Sequence, residues 1–526
     1  MNEGLEYLKF QSDVLGDLNV DKKSVRNPRI LTKSKFLNGL QCPKLLWTRC
    51  NAPEQIPEPS SSLQRVFDVG NLVGKLATKR FPGGIHVDED DFLKNIKDTQ
   101  KLLAAQNPKP IYEAGISSGR LYARADILVP SGTVQGAWDV VEVKCGTEVK
   151  DVYLEDIAFQ RHCYEEFGLK VGRCYLMHIN NEYVRKGEID VNEFFSLVDV
   201  TEAILPFLQK IPDLIRGLLK VIDLPVCPNI SIREYCSKPY DCQMEPLCWA
   251  FLPEENVLEL SRGKPKGFDL LECGVMLLKD IPDEYKLTDN QRIQRQCAVS
   301  GQAYLDSAAI ATFLRKLTYP IYFMDFETVF DAIPRFDGTH PYQQVPFQFS
   351  VHVQKAPGAA LEHFAFLQKS SDDPRCPFLE ALKTRLGNKG TILAYNMSFE
   401  KGCITDLAEA FPASVQWCHD VVQRMEDLYA PFRSFFYYHP RQRGSASIKK
   451  VLPALVGKGY EGMGIAEGGQ ASEEYSRVTY GSGVGTEDRE RVYADLEAYC
   501  ALDTKAMVDI LDRLKNLVEN TGKLWL

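Results

Sequence analysis

No apolar run in these 526 residues approaches the length needed to cross a bilayer, and the opening MNEGLEYLKFQ lacks the basic and apolar regions of a secretory signal. The cytosol (a cytoplasmic address) is therefore expected, with no membrane among the partners. Excess basic charge is missing too. Lys and Arg number 62 against 71 Asp and Glu, and the net charge of −9 argues against a protein that coats nucleic acid non-specifically. A local, metal-assisted grip on phosphate stays open. The Gly-rich stretch 457–485 contains no G-x4-G-K-[ST], so it is no phosphate-binding loop and reads as an extended one. A disulfide framework is not expected, because the 15 cysteines are odd in number and scattered. A thiolate metal site in a reducing compartment suits them better. What remains is ordinary globular composition, 44% hydrophobic and 25% charged, long enough for two or three domains.

Chemistry shows first in WDVVEVKCG, residues 138–146. It alternates like a half-buried strand, with Glu142 and Lys144 on one face and Val141, Val143 and Cys145 on the other. Upstream, LYARADILV carries a lone carboxylate, Asp126, between apolar neighbours. An Asp strand followed by a Glu-x-Lys strand resembles the PD-(D/E)XK nucleases. Asp126 and Glu142 would hold a hard divalent cation, Mg2+ or Mn2+, and Lys144 would orient the attacking water or neutralise the phosphorane. The segment 156–169 then reads as a helix with Gln160 and Tyr164 one turn apart. That Q-x3-Y step resembles the RecB-like branch, where it implies support for the site and contact with nucleic acid. One family feature is absent. Many RecB-like nucleases carry a further His ligand on an early helix, but the helix read over 65–84 has none, and His86 lies beyond it.

An apolar stripe of Phe36, Leu40, Leu45 and Trp47 predicts a helix with Cys42-Pro43 inside it. Far downstream, YCSKPYDCQMEPLCW sets Cys236, Cys242 and Cys248 in a C-x5-C-x5-C run whose short, turn-forming loops let three thiolates converge. In RecB-like nucleases that process DNA ends, and in those of CRISPR spacer acquisition, the fourth Cys lies upstream of the nuclease core. Cys42 occupies that place, so the resemblance implies a [4Fe–4S] cluster (4Fe-4S) stapling both ends of the domain. Zinc also suits four thiolates, and Cys50 or Cys227 can replace one of the set.

Residues 255–318 read as helical and as a joint between domains. From Tyr319 the register changes. YPIYFMDFETVF is an apolar strand ending in Asp325 and Glu327, an acidic pair that costs stability unless it holds cations. Strands over 347–355 and 362–368 suggest an antiparallel meander, and a helix follows over 376–387. Next come a strand, Asn396, Glu400 and another helix; the helix 493–511 places Tyr499 and Asp503 on one face. The order D-x-E, N-x3-acid, Y-x3-D resembles the DEDD exonucleases on the RNase H-like fold. There Asp325, Glu327, Glu400 and Asp503 would bridge two cations about 3.5–4 Å apart, and Tyr499 would orient the water. Ala498 stands where the sister branch has His, which indicates the tyrosine (DEDDy) branch. Glu400 departs from the family's usual Asp, with Asp420 and Asp427 as alternatives. Lys449 and Lys450 are candidate phosphate contacts.

The expected class is α/β: a polar arm over 1–30, a PD-(D/E)XK restriction-endonuclease-like domain over 31–254, a helical linker over 255–318 and an RNase H-like domain over 319–526. The order of parts, down to CSKPYDC and YCALDT, is similar to a bacterial family that fuses the two nucleases. That resemblance implies a metal-dependent nuclease with two sites, exonucleolytic on single-stranded or frayed DNA ends, in repair or defence. The first domain would work 5′→3′ and the second 3′→5′. The alternative is a nucleic-acid-binding protein whose iron–sulfur domain recognises DNA or RNA structure while the C-terminal domain alone cleaves. DNA is preferred over RNA on family tendency, since no residue reads a 2′-OH.

Overall fold

The computed structural model describes residues 29–87 and 90–523; the expected arm lies outside them except for Arg29 and Ile30. Two compact units, Met1–Ala250 and Phe251–Leu526, are each mixed α/β.

In the first unit β1 (Leu31–Thr32) runs into α1 (Lys33–Gln41) and α2 (Pro43–Asn51). The single helix expected here is two. Pro43 has no N–H with which to continue α1, and Cys42, extended at φ −156°, ends one helix and starts the next. Then come α3 (Ser61–Ala77), β2 (Ile85–His86), α4 (Phe92–Leu103), β3 (Ile111–Ser118), β4 (Leu121–Pro130) and β5 (Trp138–Lys144). They are followed by α5 (Asp151–Glu166), β6 (Val171–Ile179), β7 (Phe195–Asp199) and α6 (Ile211–Ile222). The strand order is β2-β3-β4-β5-β6-β7, with β1 added on β4. One edge of β4 is shared. Residues 127–130 pair antiparallel with β5, while Leu121 and Tyr122 pair parallel with β1. Asp126 falls between the two partners, so the start of α1 and the end of β5 meet at this carboxylate. Phe36 of α1 stacks on Phe159 of α5, ring centroids 4.6 Å apart, which locks both helices onto the same core.

The second unit opens with the stretch read as a linker. Residues 255–318 are folded into this unit, with a core of Val257, Leu260, Leu270 and Leu278. It contains α7 (Lys264–Glu272), α8 (Asp289–Ser300), β8 (Tyr304–Leu305) and α9 (Ser307–Leu314). A capping box of Thr288 and Gln291 starts α8. There follow β9 (Ile321–Val329), β10 (Val345–Gln354), β11 (Leu361–Leu367), α10 (Arg375–Lys383), β12 (Thr391–Ala394) and α11 (Ser398–Ala410). The chain continues with α12 (Val415–Gln423), β13 (Met425–Asp427), β14 (Tyr437–Tyr438), α13 (Ile448–Leu455), α14 (Gly468–Tyr480) and α15 (Thr486–Lys523). The main sheet is ordered β11-β10-β9-β12-β13. Its first three strands are antiparallel, and β12 and β13 run parallel to β9.

Alternation along β9 places the site. Tyr322, Met324 and Phe326 pack on the side of α10, α11 and α12. Opposite, Ile321 and Phe323 join one cluster with Met507, and Val329 joins another with Tyr475 and Leu496. Asp325 and Glu327 fall in the gap between those clusters, under α15. The Gly-rich stretch is not an extended loop, because it holds α14. Tyr475 stacks on Phe347 at 3.6 Å between centroids, and Ala471 and Val478 are buried beside it. That packing orders a helix opening on Gly468 and Gly469. Among the described residues no helix is long and apolar enough to cross a membrane.

Candidate functional site

In the first unit β4, β5, α1 and α5 converge on a ring of charge. Asp126 Oδ2 accepts from the Val143 N–H at 2.7 Å, which ties β4 to β5. Glu142 Oε1 accepts from Lys144 Nζ at 2.7 Å and from Lys33 Nζ at 2.8 Å. Gln160 Nε2 donates to Glu142 Oε2 at 2.7 Å and to Asp156 Oδ1 at 2.9 Å, and Lys144 Nζ reaches Asp156 Oδ2 at 2.8 Å. Lys33 Nζ also lies 3.8 Å from Asp126 Oδ1. The sequence reading missed Lys33 and Asp156. Asp156 was within reach of it, because Asp156, Gln160 and Tyr164 repeat at four-residue steps along one helical stripe.

Tyr164 is fully buried, donating to Ala114 O at 2.5 Å and accepting from the Ala125 N–H at 3.1 Å. It clamps β3 to β4. Gln160 is equally buried and braces the site from behind.

Burial alone would raise Glu142, but the ammonium groups of Lys144 and Lys33 outweigh it and hold this carboxyl well below the usual range. Burial, with the Glu142 charge beside it, pushes Asp126 up to about 6. Burial opposes charge on Lys33 and Lys144, yet Asp156, Glu142 and Asp126 more than compensate and keep both protonated. Three carboxylates thus face two ammonium groups. Asp126 and Glu142 are hard oxygen donors suited to a divalent cation, but Lys33 already spans them.

The four cysteines meet beside this core. Cys42 and Cys236 are buried, Cys242 and Cys248 partly so, and all four line one cavity that neither Cys50 nor Cys227 touches. Gln41 Nε2 donates to Tyr235 O at 2.8 Å and to Tyr240 O at 2.7 Å, pinning the end of α1 to the cysteine loop. Burial raises Cys42, with Cys236 and Cys248 adding to it, and pushes Cys242 up to about 11. Among the described residues no three of these sulfurs lie within 4.8 Å of one another. Four thiolates are a donor set suited to an all-thiolate metal centre, zinc or iron–sulfur.

In the second unit Asp325, Glu327 and Cys500 each present a ligand atom within 4.8 Å of the others. Glu400, from the first turn of α11, and Asp503, from α15, line the same cavity of about 350 Å³. Asn396, left-handed at φ 68°, turns β12 into α11. Asp427 Oδ1 holds that turn, accepting from the N–H groups of Asn396 at 2.9 Å and Tyr429 at 3.0 Å. Asp420 is exposed and accepts from Gln416 at 2.9 Å. Neither alternative lines the cavity; by position Glu400 is the third carboxylate.

The Tyr460 hydroxyl donates to Asp503, and the Tyr499 hydroxyl, one turn away, also favours its charged form. Tyr460 comes from the Gly-rich stretch, where no periodicity announces it. Lys449 Nζ lies 5.9 and 5.5 Å from the ring centroids of Tyr460 and Tyr499 and donates to Ala466 O at 2.5 Å. Lys450 is exposed and outside the cavity. Burial and repulsion from neighbouring carboxylates push Asp325 and Glu327 well above the carboxylate range and Glu400 up to about 8, while burial takes Asp503 to about 6 against the pull of Tyr460, Lys449 and Tyr499. Glu400 Oε2 is buried without a hydrogen-bond partner. Four acidic groups, one ammonium and an orphaned oxygen make a donor set that fits a divalent cation.

A family model described as a domain of unknown function, DUF2779, matches residues 322–447. The match takes in Asp325, Glu327 and Glu400 and stops before Lys449, Tyr460, Tyr499 and Asp503. No curated protein matches the chain.

Proposed function

We propose that the protein is a metal-dependent nuclease, a reading carried by the four carboxylates crowded into one cavity of the second unit with Glu400 Oε2 unpartnered. An RNase H-like fold for this unit is supported by its strand order, 3-2-1-4-5 counted from β9, with strands 4 and 5 parallel to the first. Asp325, Glu327, Glu400 and Asp503 would hold Mg2+ or Mn2+, which supplies a polarised phosphoryl oxygen and an activated water. Tyr499, kept protonated by burial beside Asp503 and Glu327, orients the attacking water, and Lys449 offsets the charge around it. The substrate is a single-stranded or frayed DNA end, with RNA as the alternative, shortened 3′→5′ at this site in the cytoplasm. The first unit takes a PD-(D/E)XK fold, with Asp126, Glu142 and Lys144 as a second catalytic set working from 5′ ends. Cys42, Cys236, Cys242 and Cys248 hold a [4Fe–4S] cluster that staples segments nearly the whole unit apart.

Lys33 favours a second reading. Its ammonium already spans Glu142 and Asp126, so the first unit would recognise nucleic-acid structure while the second alone cleaves. Strands labelled at one end and blocked at the other, incubated with Mn2+ or Mg2+, separate the two. Asp325→Ala should stop shortening from 3′ ends and Glu142→Ala from 5′ ends. If Asp325→Ala stops both, the second reading stands; if the wild type shortens neither DNA nor RNA, the nuclease proposal fails. The purified protein should be brown, and Cys236→Ala should bleach it. Zinc without iron after anaerobic preparation would remove the cluster from the proposal.

A further inference from the structure

A second cleft, of about 450 Å³, adjoins the carboxylate cavity and shares Tyr395, Asn396 and Ile448 with it. None of its lining residues is acidic, in a chain of net charge −9. Arg262 and Arg433 stand exposed in its wall, and among the described residues neither guanidinium has an ion-pair or hydrogen-bond partner. Arg443, by contrast, is paired with Glu259 through Nε at 2.7 Å. The residues 445–448, leading into α13, complete the wall; its N-cap, Ser447, makes no side-chain cap, so the helix presents open N–H groups there.

The cleft is built rather than incidental. Arg262 is carried at φ 50° by the segment first read as a linker. Buried Gln291 and Gln294 hold that segment, Nε2 of Gln291 donating to Ser261 O at 3.0 Å and Oε1 of Gln294 accepting from the Ser261 N–H at 2.8 Å. Across from it Gly444, at φ 73°, lies so close to Glu259 that an added Cβ would sit 2.0 Å from its carbonyl oxygen. Arg262, Asn396 and Phe435, three of the six non-glycine residues with left-handed backbone among the described residues, all line this cleft. Strain of that kind persists where the surroundings hold it.

We propose that this cleft is the track for a single-stranded nucleic acid whose terminal phosphodiester lies among the four carboxylates, a proposal that rests on the nuclease reading. Arg262 and Arg433 take backbone phosphates, and the open N–H groups of Ile448 and Lys449 in the first turn of α13 take a third. Tyr429, in the same wall with its ring 5.7 Å from that of Tyr395, offers a face to a base. A grip made through phosphates and a stacking face is independent of base identity. It also explains why 251–318 belongs to this unit: without that segment the track has no Arg262.

Binding and turnover of two probes test it. The polymer probe is a fluorescein-labelled oligothymidylate 12-mer, read by anisotropy in Ca2+ over a series of salt concentrations. The small probe is thymidine 5′-p-nitrophenyl phosphate, which reaches the carboxylates without filling the track. Arg262→Ala/Arg433→Ala should weaken 12-mer binding by about 10-fold or more and reduce the salt slope by about 2. It should raise KM for the 12-mer with kcat within about two-fold, and leave hydrolysis of the small diester unchanged. Arg262→Lys/Arg433→Lys should keep the salt slope, which separates lost charge from misfolding. Unchanged 12-mer affinity and KM with the small diester still hydrolysed would overturn the track while sparing the nuclease reading. Failure of the wild type to hydrolyse either probe would instead sink the nuclease reading, leaving the anisotropy and its salt slope to decide the track. Polyglutamate binding as tightly and with the same slope would make the cleft a general polyanion patch and overturn the proposal.

Discussion

Both units gather carboxylates at the end of a strand, and they settle the resulting charge in opposite ways. In the first, Glu142, Asp126 and Asp156 are met by Lys33 and Lys144 within the chain, so that Glu142 is held ionised. In the second, Asp325, Glu327, Glu400 and Asp503 have Lys449 as their one nearby ammonium among the described residues, and all four are pushed upward. A buried charge is tolerated when a partner and hydrogen bonds replace its water. The first site carries its partners with it. The second lacks positive charge and has room for it, which is the condition of a site that binds cations.

The largest effect expected from this contrast is on activity. Asp325→Ala should lower 3′→5′ shortening by at least about 10³-fold, roughly 4 kcal/mol, since it removes a cation ligand. Lys144→Ala should leave that reaction within about two-fold, because the two sites share no residue. An equal loss from both variants, measured with 5′-labelled strands, would break the comparison.

Stability should respond with opposite signs. Glu142→Gln strands Lys33 and Lys144 beside too little negative charge, which should destabilise the first unit by about 3 kcal/mol. Asp503→Asn relieves repulsion, and should stabilise the metal-free protein by about 1 kcal/mol. Urea unfolding in chelator checks both. In saturating Mn2+ the second sign should reverse, since the wild type then gains linked binding energy that the variant has lost. Destabilisation by Asp503→Asn in chelator would show that its charge is already compensated.

What the sequence announced and what it hid follow the same division between local pattern and distant packing. Asp325 and Glu327 were legible because carboxylates ending an apolar strand are costly, and Tyr499 and Asp503 because four residues make a helical turn. Cys42 was found through a resemblance, since nothing local ties it to Cys236. Lys33 was hidden: it reaches Glu142 across 109 residues, and only the pairing of β1 with β4 puts it there. Tyr460 and α14 were hidden for a related reason. Their order comes from contacts such as Tyr475 on Phe347, whereas their own composition is rich in glycine. The packing of 255–318 into the second unit was hidden likewise, because Gln291 and Gln294 look like surface residues until the 257–261 segment folds onto them.

Lys33 gives a smaller, sharper test. If its ammonium occupies the place of a cation between Glu142 and Asp126, Lys33→Ala should open the first site to metal. On an Asp325→Ala background, Mn2+ binding by calorimetry should tighten by roughly 10-fold, the scale of one lost charge competitor near a protein surface. The 5′→3′ activity should rise with it. Unchanged or weaker Mn2+ binding would mean that Lys33 only scaffolds Glu142, and the first site would then be as closed to metal as its ion pairs suggest.

The smallest effects expected are those of the two tyrosines on Asp503. Both phenols favour the charged form of the same carboxylate, Tyr460 by a hydrogen bond from the Gly-rich segment and Tyr499 from one turn away on α15. Tyr460→Phe removes a hydrogen bond to a charged acceptor and should cost about 1–2 kcal/mol of stability with little change in kcat. Tyr499→Phe should lower kcat by about 10-fold with KM unchanged, far less than loss of a cation ligand, since it orients water and holds no metal. Because the hydroxyls act on one carboxylate, the double variant should not be additive: with one gone, the other can tighten onto Asp503. Strict additivity in both kcat and stability would mean that the two phenols act on separate groups. The second site would then be less crowded than its carboxylates imply.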